Sequence, residues 1–285
     1  MGAGGDPAAT GAPHGDAPRR QVLPHLQAGD GPDVVLVHGA LTTAADMEMA
    51  LFPALSRRHR VTAFDRAGHE GGHRGHRPGG SPQAHASLLR ESIVALGLRR
   101  PVIVGHSFGG AVALSHALRF PDEVAGVVAV APIVFPELRP EHLLFAPRAL
   151  PGIGIAVDLL ARSWLDPVLL PALRRLMFSP QPVPEGYDAR VPGSVPGRML
   201  QAEAEDAAFL VPGLALNSMS YVGCAVPLTV LAGTADAVVD NRRHGRLLSR
   251  VMARADYVEL AGTGHMAHHF AQAEVLRAVE RLCRR

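Results

Sequence analysis

The hydrophobic positions gather into short apolar runs separated by longer mixed stretches. Asp33 to His38 (Asp-Val-Val-Leu-Val-His), Val61 to Asp65, Pro101 to Gly105, Val124 to Ala131, Leu228 to Ala232 and Asp256 to Leu260 form one set. Most are apolar at nearly every position rather than at every second one, which predicts strands covered on both faces, as in a parallel sheet. Between them, Ala44 to Arg58, Gln83 to Leu96, Phe108 to Phe120, Asn241 to Met252 and about Ala271 to Leu282 predict helices. Ser81-Pro82 supplies an N-cap with proline at the first helical position, and Gly97 a stop. Strand and helix alternate, so the expected architecture is α/β with crossover helices.

The alternation lapses between Pro132 and Val222. That segment is Pro-rich, with short helical pieces at Ile155 to Leu165 and Val168 to Phe178 and an irregular stretch from Pro180 to Gly186. A structureless loop of this length is uncommon inside a domain, so the segment reads as a helical insertion packed over the sheet. The expected organisation is a disordered leader over 1–20, a core over 21–131, a helical lid over 132–222 and the rest of the core over 223–285. No internal repeat is present.

Composition narrows the possibilities. Hydrophobic residues make up 47% and charged residues 19%, far from the balance of disordered chains. A formal charge of +2 is too even for a phosphate-tracking surface, so nucleic acid is not an expected partner. All 28 basic residues are Arg, which excludes Schiff-base chemistry on a lysine. Cys224 and Cys283 are too few for a disulfide framework or a thiolate metal site. The leader lacks the apolar run of a secretory signal, and its acidic residues argue against a transit peptide. Leu143 to Ala161, the longest membrane-span candidate, is interrupted by Pro147, Arg148, Pro151 and Asp158. A cytoplasmic monomer or homodimer without a stable membrane anchor is expected.

Three loops at the ends of predicted strands carry the chemistry. Gly105-His-Ser-Phe-Gly109 sits between an apolar strand and a helix, the setting of a nucleophile elbow. There Ser107 points out of the sheet edge, and the Phe108 N–H at the helix N-terminus can hold an oxyanion. A serine hydroxyl needs a base and a group that orients the base. Asp236 in Gly233-Thr-Ala-Asp236 and His265 in Gly262-Thr-Gly-His265 follow the next two strands, in the order Ser, Asp, His.

Competing candidates have plainer readings. Asp240 lies where an N-cap is expected before Asn241, and His268 and His269 fall at the start of the last helix, as surface or cap residues. His69, Glu70, His73 and His76 have the ligand types of a metal site but lie on a Gly-rich stretch, which reads as a solvated loop. His38 reads as a loop organiser. Glu203, Glu205 and Asp206 read as a solvated helix face, although an aminopeptidase would use such lid carboxylates to hold an amine. Phe135, Phe145, Trp164, Leu169 and Met177 are either lid core or pocket wall.

Together, His38-Gly39-Ala40, Asp65-Arg-Ala-Gly68-His69, Gly105-His-Ser-Phe-Gly-Gly110, Phe120-Pro-Asp-Glu-Val124 and Gly262-Thr-Gly-His265 resemble the motif set of the α/β-hydrolase superfamily, in its serine hydrolase branch with a helical lid. The resemblance runs from about Gln21 to the C-terminus, although only Gln21 to Ala28 precedes the Gly29-Asp-Gly31 turn, so an edge strand is missing or supplied by the leader. It implies a mostly parallel central sheet flanked by helices, with Ala40 as the second oxyanion donor and Leu41 next in line. Leu41, His106, Trp164 and Met266 are the expected substrate-binding residues. A serine at position 107 argues against the haloalkane dehalogenases and ester-forming epoxide hydrolases of the superfamily, which carry a carboxylate there. No cofactor and no metal are implied. The expected activity is hydrolysis of a small-to-medium apolar carboxylic ester, lactone or thioester. The same triad also serves acyl transfer, carbon–carbon bond hydrolysis or perhydrolysis, and the fold hosts aminopeptidases and non-enzymatic ligand receptors.

Overall fold

Strands without a polar face must be covered on both sides, and the computed structural model places them so. It describes residues 22–69, 79–191 and 197–284; the leader over 1–20 and Glu70, His73 and His76 lie outside these. Seven strands form one sheet: β1 His25–Ala28, β2 Asp33–Val37, β3 Arg60–Phe64, β4 Val102–His106, β5 Gly126–Val130, β6 Leu228–Gly233 and β7 Ala255–Leu260. Their spatial order is β1-β3-β2-β4-β5-β6-β7. β1 runs antiparallel to β3 and every other pairing is parallel. Every residue of β2, β4, β5 and β6 is buried. At the edge lies β1, four largely exposed residues beside β3, so the short stretch before the Gly29-Asp-Gly31 turn itself supplies an edge strand.

Helices cover both faces. α1 Ala44–Leu55, α2 Pro82–Ala95 and α3 Phe108–Arg119 alternate with the first strands, and α9 Leu247–Val251, α10 Ala267–Phe270 and α11 Gln272–Cys283 accompany the last two. Leu89 and Ile93 of α2, Val112 of α3 and Leu248 of α9 pack with Ile103 and Val127 on one side. Met47 and Leu51 of α1 and Val275 and Val279 of α11 pack with Val104 and Val128 on the other. Neighbouring strand residues thus serve opposite layers, as the two-residue period of a strand requires. Between β5 and β6 the chain forms α4 Pro140–Phe145, α5 Gly154–Trp164, α6 Asp166–Phe178, α7 Tyr187–Arg190 and α8 Gly197–Ser218. None of the described helices is long and apolar enough to cross a membrane.

Ser81 caps α2 as expected, its hydroxyl accepting the Ala84 N–H at 3.2 Å. Two predicted helices differ. α1 stops at Leu55, whose carbonyl accepts both the Arg58 and His59 N–H groups and closes the chain into a turn. The helix over 241–252 opens with a π turn at Arg242–Arg246 before α9. Within that turn His244 is buried, and its Nδ1 accepts the Val134 and Phe135 N–H groups at 3.1 and 3.2 Å. A local bulge that re-aims a side chain is the usual role of a π turn.

Candidate active site

Ser107 lies on the turn from β4 to α3 with φ +51, a left-handed conformation that costs a non-glycine residue and is held by what surrounds it. Its N–H donates to Val130 O at 3.0 Å, and its carbonyl accepts the Gly110 N–H at 3.0 Å. The flanking glycines allow the close approach. A Cβ on Gly105 would sit 2.3 Å from Gly109 O, and one on Gly109 would sit 2.2 Å from Val37 O. No side chain fits at either position.

Asp236 and His265 stand at the ends of β6 and β7. His265 Nδ1 is 2.9 Å from Asp236 Oδ2, while Asp236 Oδ1 accepts the Val238 and Val239 N–H groups at 2.8 and 2.9 Å. Burial pushes the Asp236 carboxyl up, but His265 and the two backbone donors outweigh it and hold the acid below its ordinary value. An ionised acceptor places the His265 proton on Nδ1 and leaves Nε2 as the basic nitrogen. Asp240 accepts the Arg242 N–H at 2.9 Å, as a helix-start residue would.

The His265 loop is gripped from two sides. Gln181 accepts the Gly264 N–H at 2.9 Å and donates to Gly262 O at 2.8 Å, and Met177 O accepts the Met266 N–H at 3.3 Å. From below, His106 Nε2 meets the His265 carbonyl at 3.0 Å and its ring lies 4.8 Å from that of His265. A carbonyl partner requires a proton on His106 Nε2. Burial holds the His106 pKa well below its ordinary value, so the ring is neutral. His38 is also neutral and buried: its Nε2 accepts the Arg66 N–H at 2.9 Å, and its Nδ1 meets Gly39 O at 2.8 Å. These bonds fit its expected role in the loop.

A cavity of about 120 Å³ brings Ser107 and His265 together with Ala40, Leu41 and Phe108. Neither the Ala40 nor the Phe108 N–H has a hydrogen-bond partner among the described residues, whereas the Leu41 N–H donates to Glu203 Oε1 at 2.7 Å. Ile133, Phe145, Met177 and Leu210 give the walls their apolar character. An open groove of about 890 Å³ runs beside it past Asp236 and shares Arg139, Leu173 and Leu176 with the cavity, but it touches neither Ser107 nor His265.

One wall is charged, against expectation. Glu203 and Asp206 of α8 are buried, not solvated; Glu205 is half-buried. Arg66, itself buried, donates to Glu203 Oε1 at 2.8 Å, to Gly39 O at 3.1 Å and to Asp206 Oδ2. His69 Nε2 lies 2.8 Å from Glu203 Oε1, and His85 Nε2 lies 2.9 Å from Asp206 Oδ1. Burial alone would raise the Glu203 pKa, but Arg66 and His69 bring it below its ordinary value. The Arg66 guanidinium also stacks 4.4 Å over the Phe108 ring.

Of the expected substrate-binding residues only Leu41 lines the cavity. Trp164 is 78% exposed at the outer end of α5 because the buried side of that helix carries Gly154 and Asp158. Met266 is buried in a separate cluster with Phe178, Tyr187 and Val191. His106 lies beneath the His265 loop rather than in the cavity. Phe145 and Met177 are cavity wall, and Phe135 packs on Tyr221 in the core. His268 and His269 are neither surface nor cap residues: both rings bond the fully buried Asp46, at 2.9 and 2.8 Å, and Tyr187 Oη joins it at 3.1 Å. Among the described residues, metal-ligand types converge at Asp46, His106 and His268 and at His69, Glu203 and Asp206. The second set shares its space with the Arg66 guanidinium, which a cation would have to displace.

An uncharacterized protein of Mycobacterium tuberculosis is 28% identical over 272 residues, covering 89% of this chain and 76% of that protein. A pyrethroid hydrolase of Sphingobium wenxiniae is 32% identical over 130 residues, 45% of this chain and 46% of that enzyme. Among solved structures, a thermophilic esterase from Thermogutta terrifontis superposes with a TM-score of 0.68 at 22% identity, over 92% of this chain and 93% of that one, a likeness of fold. The model of the alpha/beta hydrolase family matches residues 34–279, from the first buried strand through α11. With its parallel sheet and the loops at its strand ends inside that match, the chain belongs to the alpha/beta hydrolase family.

Proposed function

We propose that the protein is a serine hydrolase acting on small-to-medium apolar carboxylic esters, with lactones and thioesters as chemical neighbours. The observation that carries this reading is Ser107, on a left-handed elbow, sharing an apolar cavity with a His265 whose Nδ1 is bound by an ionised Asp236. His265 Nε2 takes the Ser107 proton as Oγ attacks the carbonyl carbon. The Ala40 and Phe108 N–H groups receive the oxyanion, and the protonated His265 gives its proton to the departing alkoxide. Water, deprotonated by His265, then releases the acid and restores the serine. Helices α4 to α8 act as a lid, with α6 and α8 setting the cavity width. Similarity to a pyrethroid hydrolase over 130 residues supports an ester substrate.

Glu203 and Asp206 favour a second reading, a hydrolase holding a substrate amine, because both line the cavity. Against it, the carboxylates are already matched by Arg66, His69 and His85. Labelling with a fluorophosphonate tests the first reading: wild type reacts, Ser107→Ala and His265→Ala do not, and p-nitrophenyl esters show an optimum at short to medium acyl chains. Turnover of amino-acid p-nitroanilides in preference to those esters selects the second. A folded wild type that neither labels nor turns over removes both.

A further inference from the structure

Helix α6 turns two neighbouring stripes of side chains inward, as residues three and four apart share a helix face. Leu173, Leu176 and Met177 line the cavity of about 120 Å³ that holds Ser107 and His265. Leu170, Arg174, Met177 and Phe178 line a second, smaller chamber of about 20 Å³. Met177 belongs to both stripes. On the opposite side Leu41 also lines both spaces, so Leu41 and Met177 form the wall between them.

The rest of the small chamber is held in place. Leu41 has φ +58, and its N–H is tied to Glu203 Oε1 at 2.7 Å. The buried rings of Phe178 and Tyr187 meet edge to face at 4.8 Å. Met177 is different. Its carbonyl accepts the Met266 N–H at 3.3 Å, which fixes the backbone, but its half-buried side chain is unbranched and turns about three bonds.

A space of about 20 Å³ admits about one water-sized group, and a water there would need about two to four polar partners. The lining has little to offer one. The Thr42 hydroxyl already donates to Gly39 O at 3.2 Å, the Tyr187 hydroxyl donates to Asp46 at 3.1 Å, and the Arg174 guanidinium is paired with Asp188. The end of an apolar chain suits the chamber better.

We infer that Met177 is the specificity-determining residue of the acyl pocket: its side chain closes the active-site cavity to longer chains, and the small chamber behind it is the blocked end of the same pocket. The acyl chain is the occupant because it stays on Ser107 until water arrives, whereas the alcohol has to leave first. Naming that occupant rests on the ester hydrolysis proposed above; the partition itself does not.

Met177→Ala removes the partition beyond Cβ and opens one space into the other. With p-nitrophenyl esters of rising acyl length, the optimum should lie about three carbons beyond that of wild type. The ratio of kcat/KM for that longer ester to that for the short one should rise about tenfold or more, since each newly buried methylene is worth about three- to fourfold. Met177→Val, a smaller truncation, should move the optimum by about one carbon. Loosening of the His265 loop through Met266 would instead lower kcat for every chain length alike. Adding Leu170→Phe to Met177→Ala refills the chamber from the far side and should return the optimum toward the wild-type length. Binding is also read without turnover. Ser107→Ala protein, with and without Met177→Ala, is titrated by calorimetry with methyl alkyl ketones, ester analogues that cannot be hydrolysed. The length at which affinity stops rising should move out by about three carbons. That shift in a protein whose wild type hydrolyses no ester removes the hydrolase reading and upholds the partition. An unchanged length limit for ketone binding overturns the proposal. So does an unchanged acyl optimum in a variant that turns over, or a shift that follows the alcohol chain of alkyl acetates instead of the acyl chain.

Discussion

Replacing Glu203 tests the link between α8 and the loop that bears Ala40. One oxygen of this buried carboxylate accepts from the Leu41 N–H, Arg66 Nη2 and His69 Nε2 within 2.7–2.8 Å. Glu203→Ala leaves the Arg66 guanidinium with Asp206 as its one carboxylate partner and strands the Leu41 N–H. Breaking a buried ion pair costs about 3–5 kcal/mol, and an orphaned buried donor about 1–3 kcal/mol. The two effects share atoms and do not add, so a loss of about 3–5 kcal/mol is expected, a large part of a domain's typical stability of about 5–15 kcal/mol. Glu203→Gln keeps an oxygen acceptor but not the charge and should cost about 1–3 kcal/mol. Because the Glu203 pKa is depressed in the fold, its contribution is present above the unfolded value and is lost as pH falls through the folded one. The gap between wild type and Glu203→Gln therefore narrows below about pH 4.3. Freed from its anchor, the loop holds Ala40 less well. In the function proposed above Ala40 is an oxyanion donor; removing such a donor costs about 10²–10³ in kcat, so loosening it should cost about tenfold with little change in KM. Urea unfolding followed by far-ultraviolet circular dichroism, beside ester kinetics, reads both effects. A cost of Glu203→Ala below about 1 kcal/mol would refute the buried network. An unchanged kcat in a destabilised variant would refute the coupling to the loop.

Two further outcomes follow from the packing. Gly109→Ala should abolish ester hydrolysis and lower stability by more than about 3 kcal/mol, since its Cβ would lie 2.2 Å from Val37 O; a melt and turnover close to wild type would show that the elbow has room. Burial lowers the His116 pKa to about 4, so between about pH 6.5 and pH 4 the unfolded chain binds a proton that the folded chain does not. Stability should fall by about 1.4 kcal/mol per pH unit from this group, about 3 kcal/mol in all, and a His116→Asn variant should show a correspondingly shallower urea midpoint against pH.

The strands were legible because burial on both faces leaves an unbroken apolar signature, and the elbow because its glycines answer a local steric demand. The placement of Ser107, Asp236 and His265 at one edge of the sheet was legible for a related reason: each follows the end of such a strand, so its position is local. The charged wall was not. Glu203, Glu205 and Asp206 look the same in sequence whether solvated or buried, and what buries two of them is Arg66, 137 and 140 residues away. The identity of the partners for His268 and His269 depends likewise on Asp46, more than 220 residues earlier. Trp164 failed for the opposite reason. A large aromatic beside apolar residues ordinarily marks the buried side of a helix, but on α5 the buried positions carry Gly154 and Asp158, whose carboxylate is paired with Arg162 of the same helix and with the buried Arg148.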